Sequence, residues 1–239
     1  MLCVYFSGTG NTRHLSKKLA ELLGCDSISV EDKNIKEELT RTSIVILGYP
    51  VYFGSSPGIV KEFVEETDWT DKKVLIFVTC GMIPGSADKN IARVLRLKGA
   101  KIVGSKSFKM PENVGDIPIF TVLMPAKFNS SVIKRAEKKI KYLAEKIMLG
   151  DYYGKELKIS TGKKRRAAAP KTKMKIDKLK CIDCGLCRRN CPYGEENFGK
   201  KCTMCYRCYA NCPQKAVTGL GKRVITQYVF GGKQHKSGT

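Results

Sequence analysis

Eight cysteines fall in two runs of one pattern: Cys181-x2-Cys184-x2-Cys187-x3-Cys191-Pro192, then Cys202-x2-Cys205-x2-Cys208-x3-Cys212-Pro213. Each two-residue step turns the chain about a common centre, so three thiolates come to face it; the proline then sends the fourth cysteine away. Soft thiolates at this spacing suit an iron–sulfur cubane. A pair of zinc sites also uses two-residue spacings and is the competing reading, though two copies of a four-cysteine run with Cys-Pro endings weigh against it. A secreted disulfide scaffold is the third possibility. It would call for an export signal, yet the N-terminus has no basic stretch followed by an apolar run, and residues 2–6 read as a buried strand. The longest apolar stretch, residues 44–53, contains Gly48 and Pro50 and is too short to span a bilayer. The expectation is a soluble, cytoplasmic protein in a reducing compartment, where clustered cysteines hold metal.

The remaining three cysteines, Cys3, Cys25 and Cys80, are scattered through a first part of different character. With 239 residues and 42% apolar side chains, the chain can form one ordinary domain beside a small one. Residues 2–6, 44–48 and 74–78 are short apolar runs rich in β-branched and aromatic residues, as in strands buried on both faces of a parallel sheet. Between and after them, residues 12–23, 57–66, 86–97 and 130–149 repeat apolar positions at helical spacing. Strand alternating with helix predicts a doubly wound α/β domain, whose ligands sit at the carboxyl ends of the strands.

The loops after those strands are therefore the places to look. Ser7-Gly8-Thr9-Gly10-Asn11-Thr12 stands between the first strand and its helix. Small and hydroxyl residues leave backbone N–H groups accessible, and the helix N-terminus adds partial positive charge, so the loop can cradle a phosphate. It lacks the Gly-Lys-Ser/Thr ending of a Walker A loop, and Arg13 occupies the third-glycine place of the dinucleotide fingerprint. A plain polar turn with an N-cap is the alternative; one Ser or Thr would have sufficed for it.

This loop resembles the FMN-phosphate loop of flavodoxins, and the likeness extends to Gly48-Tyr49-Pro50-Val51-Tyr52-Phe53-Gly54 and Thr79-Cys80-Gly81-Met82. The resemblance covers residues 1–150 and implies FMN held at its phosphate by Ser7, Thr9, Gly10, Asn11 and Thr12. It implies Pro50, Val51, Tyr52, Phe53 and Gly54 at the ring, with Tyr52 the first candidate for stacking and Phe53 the second, and Thr79, Cys80, Gly81 and Met82 at its other edge. These loops contain no Asp or Glu, which predicts cationic surroundings for the flavin.

Residues 176–218 resemble bacterial two-cluster ferredoxins. In that family the fourth cysteine of each run ligates the other cluster. The resemblance thus implies Cys181, Cys184, Cys187 and Cys212 for one [4Fe–4S] cluster, and Cys202, Cys205, Cys208 and Cys191 for the second. The module departs from that family in charge, with Arg188, Arg189, Lys200, Lys201, Arg207 and Lys215 around the cysteines. The whole chain resembles the flavodoxin–ferredoxin fusions of anaerobic prokaryotes. That implies a flavodoxin-like doubly wound sheet over residues 1–150, a basic linker over 151–175, and a smaller α+β two-cluster ferredoxin domain with a C-terminal tail over 176–239.

Of the net charge of +22, residues 151–239 carry +15, from 21 basic and 6 acidic side chains. The densest run, Lys163-Lys164-Arg165-Arg166, reads as linker. Trp69 is expected at the amino end of the sheet as part of the core, Cys3 as a small hydrophobe in the first strand, and Cys25 in a turn without a partner. His14 is expected to face solvent, and His235 to lie in a frayed tail.

Joining FMN to two clusters would let one chain convert between two-electron and one-electron traffic. The favoured function is electron transfer to separate redox partner proteins, because no paired carboxylates, nucleophile–base pair or nicotinamide fingerprint marks a substrate site. The alternatives are a flavin-dependent reductase of a quinone or corrinoid, and a redox-sensing nucleic-acid binder, ranked last because no DNA-reading motif accompanies the charge. The linker is long enough to carry the module to a second subunit, so a symmetric homodimer with crossed modules is predicted.

Overall fold

The computed structural model describes residues 1–118, 129–152 and 173–231. The Lys163–Arg166 run, most of the expected linker and His235 lie outside the described residues.

Five parallel strands make one sheet: β1 (Leu2–Tyr5), β2 (Asp26–Ser29), β3 (Ile44–Pro50), β4 (Lys73–Cys80) and β5 (Lys101–Lys109), in the order β2-β1-β3-β4-β5. The chain leaves β1 outward to β2 and then returns past it to β3, so the order reverses between β1 and β3. There Phe6 donates its N–H to the Gly48 carbonyl at 3.0 Å. Loops after these two strands diverge to opposite sides and leave a crevice at their carboxyl ends.

Side chains alternate across the sheet with period two. Val4, Leu47 and Ile76 face α3 (Gly58–Glu66) and α4 (Ala87–Leu97). Cys3, Ile46, Leu75 and Phe77 face α1 (Asn11–Leu23) and α5 (Asn129–Met148). Helix α1 presents Leu15 and Leu19, and α5 presents Ile140, Leu143 and Ile147, on their buried stripes. Each fully buried Leu, Ile or Val adds about 1.5–3 kcal/mol against leaving it in water, which fixes both layers. Trp69 is fully buried, meets Phe63 edge-on at 5.9 Å and donates its indole N–H to the Val64 carbonyl at 3.1 Å.

Three elements go beyond the periodicity reading. β2 (Asp-Ser-Ile-Ser) is a polar edge strand, β5 carries exposed lysines, and α2 (Ile35–Thr40) is a turn and a half long. Edge strands need not be apolar on both faces, so they leave no unbroken apolar run. Two expectations about single residues are overturned. His14 Nε2 lies 2.7 Å from Glu137 Oε1 and its ring stacks on Phe230, so it is packed between α5 and the chain's C-terminal segment. Cys25 does have a partner: its sulfur is 3.9 Å from that of Cys3.

The cysteine-rich part is a compact second body. β6 (Lys175–Ile176) pairs antiparallel with β7 (Val217–Thr218), and two one-turn helices, α6 (Leu186–Arg189) and α7 (Arg207–Ala210), lie between them. Each short helix holds the third cysteine of its run. Tyr206, Tyr209, Val217 and Val224 supply a small core.

Candidate functional site

Three loops and one further segment meet at the carboxyl edge of the sheet and line one cleft. Ser7, Gly8, Thr9, Asn11 and Thr12 line it from the β1–α1 loop; Pro50, Val51 and Tyr52 from the loop after β3; Thr79, Cys80 and Gly81 from the end of β4. The strand order brings these sequence-predicted positions together. Gly10, Phe53, Gly54 and Met82 lie elsewhere. Gly10 is the N-cap of α1, in the left-handed region at φ 101°. Phe53 packs between the sheet core and the core of the cysteine-rich module, Gly54 backs onto Gly85, and Met82 is exposed.

The fourth wall, Met110, Pro111, Glu112 and Asn113, escapes the sequence reading. It follows β5, so recognising that edge strand would have pointed to it by the same rule. Its arrival also corrects the expected charge: Glu112 puts a carboxylate in a cleft whose other loops have none.

The cleft is graded from polar to aromatic. At one end Ser7, Thr9 and Thr12 are buried hydroxyl residues. Gly10 donates its N–H to Ser7 Oγ at 3.1 Å, and the Thr12 and Thr79 hydroxyls pair at 2.7 Å. At the other end stands buried Tyr52, whose phenol burial pushes well above the ordinary tyrosine range, so it stays neutral. Gly8 lies between, where any Cβ would collide with Tyr52 Oη and the Cys205 carbonyl. Hydroxyl and amide donors beside a helix start suit a phosphate monoester, and an aromatic wall suits a flat ring; the residues present fit FMN.

The eight cysteines line two cavities. Cys181, Cys184, Cys187 and Cys212 line one, and Cys191, Cys202, Cys205 and Cys208 the other. Among the described residues, no three Cys, His, Asp or Glu side chains converge closely enough to hold a single metal ion. Both runs wind the same way. Left-handed residues flank the middle cysteine in each: Asp183 and Gly185 around Cys184, Met204 and Tyr206 around Cys205. Alternating hands curl the backbone around a centre, and three of the four positions accept this conformation without being glycine, a local strain met at binding loops. Burial raises the Cys187, Cys191 and Cys208 thiols and pushes Cys205 up to about 11. As free thiols they hold their protons, which metal binding must displace.

The second cavity lies against the cleft. Tyr52 Oη and Asn113 Nδ2 both point at the Cys205 carbonyl, at 3.5 and 3.4 Å, and Cys205 packs within the same apolar core as Tyr52. Arg207 reaches across to Ser7 O at 2.7 Å and Gly8 O at 3.3 Å, and forms a two-pronged pair with Glu31 at 2.7 Å on each prong. Burial opposes its charge, but Glu31 outweighs that and strengthens it. Buried Asp116 accepts from Tyr206 Oη and from the N–H groups of Gly219 and Gly221. These are contacts of one chain with itself.

Fold and site together define a doubly wound redox domain carrying an iron–sulfur module. A flavodoxin domain profile matches residues 2–113, and a 4Fe-4S binding domain profile matches residues 174–194. A flavodoxin of Klebsiella pneumoniae is 30% identical over 162 residues, covering 60% of this chain and 92% of that protein. A flavodoxin of Haemophilus influenzae is 33% identical over 113 residues, covering 42% of this chain and 64% of that protein, just under two thirds of its length. A solved archaeal flavodoxin aligns with 62% of this chain and 97% of its own, at 19% identity and a TM-score of 0.43. The chain belongs to the flavodoxin family. A flavodoxin domain implies FMN, a 4Fe-4S binding domain implies a [4Fe–4S] cluster, and the pair implies electron transfer. Among the described residues no helix is long and apolar enough to cross a membrane.

Proposed function

We propose that the chain is a flavodoxin–ferredoxin fusion that relays electrons between FMN in the cleft and two [4Fe–4S] clusters, and passes them to a separate redox protein. Cys191, Cys202, Cys205 and Cys208 hold the cluster beside the flavin; Cys181, Cys184, Cys187 and Cys212 hold the outer one. The carrying observation is the seat of Cys205 on Tyr52 and Asn113, which puts a ligand loop in direct contact with the wall of the cleft. The matching left-handed positions in both runs support a second cluster like the first.

When bound, FMN would supply two-electron storage and the clusters one-electron steps. The protein's own residues bind, orient and exclude water: Tyr52 and Cys205 close the cleft on the module side, and Ser7, Thr9, Asn11 and Thr12 form its phosphate end. The contact of the Cys205 loop with the cleft wall favours the relay over a reductase of quinones or corrinoids. The relay is complete within one protomer, so a crossed dimer is not needed for it. Clustered free thiols call for a reducing compartment, which suits a cytoplasmic protein.

Protein purified without oxygen should contain about eight irons, about eight acid-labile sulfides and one FMN per chain. Electron exchange between flavin and clusters should be independent of protein concentration in stopped-flow measurements. About four irons, or exchange that scales with concentration, would contradict the internal two-cluster relay.

A further inference from the structure

The phosphate loop has two sides, and the second is built by the far end of the chain. Three consecutive carbonyls of the loop accept from C-terminal donors. Arg207 Nη2 donates to Ser7 O at 2.7 Å, Arg207 Nε to Gly8 O at 3.3 Å, and the Phe230 N–H to Thr9 O at 2.8 Å. Glu31 fixes the guanidinium with both carboxylate oxygens, and Asn190 O takes a further bond from Nη1 at 3.2 Å. Tyr228 Oη donates to Asn11 Oδ1 at 2.6 Å, and Asn11 Nδ2 donates to Pro111 O at 2.8 Å, so the start of α1 is clamped as well.

In a planar trans peptide the carbonyl of one residue and the N–H of the next point opposite ways. Pinning the Ser7 and Gly8 carbonyls toward the module therefore turns the Gly8 and Thr9 N–H groups the other way, the Gly8 N–H onto the Tyr52 phenol in the cleft wall and the Thr9 N–H beside it. Pinning the Thr9 carbonyl holds the Gly10 N–H on Ser7 Oγ, leaving that hydroxyl a polarised donor. A loop of small residues has little stiffness of its own, because glycine at positions 8 and 10 admits many conformations. Successive N–H groups bind an anion well when they are already aligned, since the cost of aligning them no longer falls on the ligand.

We propose that the cysteine-rich module and the segment after it form the outer half of a phosphate-monoester site. Arg207 and the Phe230 N–H are its positioning groups: they touch no ligand, but set the direction of the N–H groups that do. The proposal rests on reading the cleft as the FMN site. It adds that docking of the module and capture of the phosphate are one linked equilibrium, so that each strengthens the other.

The test compares FMN with riboflavin, which has the same ring and no phosphate, by fluorescence quenching in FMN-stripped full-length protein. Wild type should prefer FMN strongly; no preference would sink the FMN reading itself. Arg207→Ala should weaken FMN by about 10-fold or more, through loss of charge-assisted bonds, while riboflavin stays within about 2-fold. Arg207→Lys should rescue only part, since one ammonium cannot serve both carbonyls and Glu31. Arg207 adjoins Cys208, so a second variant away from the cysteines is decisive: Phe230→Pro, which removes the N–H, set against Phe230→Ala, which keeps it. Phe230→Pro should lose FMN affinity selectively and Phe230→Ala should not. Equal losses for FMN and riboflavin, or unchanged FMN affinity in both Arg207→Ala and Phe230→Pro, would overturn the proposal.

Discussion

Cys25 ends the turn after α1, and its sulfur lies 3.9 Å from that of Cys3 in the middle of β1. The hydrogen bond from Cys3 pulls the Cys25 thiol down to about 7, against a smaller opposing effect of burial, while the buried Cys3 is pushed the other way. Since the thiolate is the reactive form, alkylation of Cys25 in native protein should rise through about pH 7, and in Cys3→Ala the midpoint should move up toward about 8.5. Mass spectrometry of the protein alkylated across pH 6–10 reads this directly, and an unmoved midpoint would mean that Cys3 is not the cause. Such pairings are invisible in a sequence, because Cys3 and Cys25 carry no motif; the turn back from α1 into β2 joins them. Glu112 is a similar case. It sits in no recognisable motif and reaches the cleft only because β5 runs beside β4, and among the described lining residues it is the one carboxylate. Ser7, Thr9 and Thr12, by contrast, were readable because a hydroxyl-rich loop at a strand–helix junction has few other uses.

Among the elements, the two cysteine runs are the most legible, since a metal-binding loop keeps its ligand spacing whatever surrounds it. Their exchange of fourth ligands is the testable part. Cys191 closes the first run but lines the cavity of Cys202, Cys205 and Cys208. Cys191→Ala should therefore cost about half the iron, and the lost signal should belong to the cluster beside the flavin. Cys212→Ala should remove the other signal instead. Mössbauer or paramagnetic resonance spectra of both variants decide it; loss of the outer cluster in Cys191→Ala would reverse the assignment. The central strands β1, β3 and β4 were also legible, being apolar on both faces. β2 and β5 were not: as sheet edges they alternate with polar residues and resemble loops.

On the scale of the whole molecule, the interface between the two bodies was the least legible part. Arg207 reads in the sequence as one more cation near a cysteine, and its role depends on Glu31, 176 positions away. Tyr228 and Asn11 are 217 positions apart, yet their side chains meet at 2.6 Å. That separation has a consequence for the order of events during synthesis. The loop at residues 7–12 leaves the ribosome some two hundred residues ahead of the donors that complete its outer side. Domains form as units while the chain emerges, so the sheet can close long before its loop is braced. Nascent chains arrested before Arg207 should accordingly come away without FMN, whereas released chains of the same preparation keep it, as flavin fluorescence of the two pools would tell. Equal flavin content in both would mean that the loop braces itself. If the brace is what completes the loop, synthesis imposes an order on assembly, with the flavin entering only after the cysteine-rich module has docked.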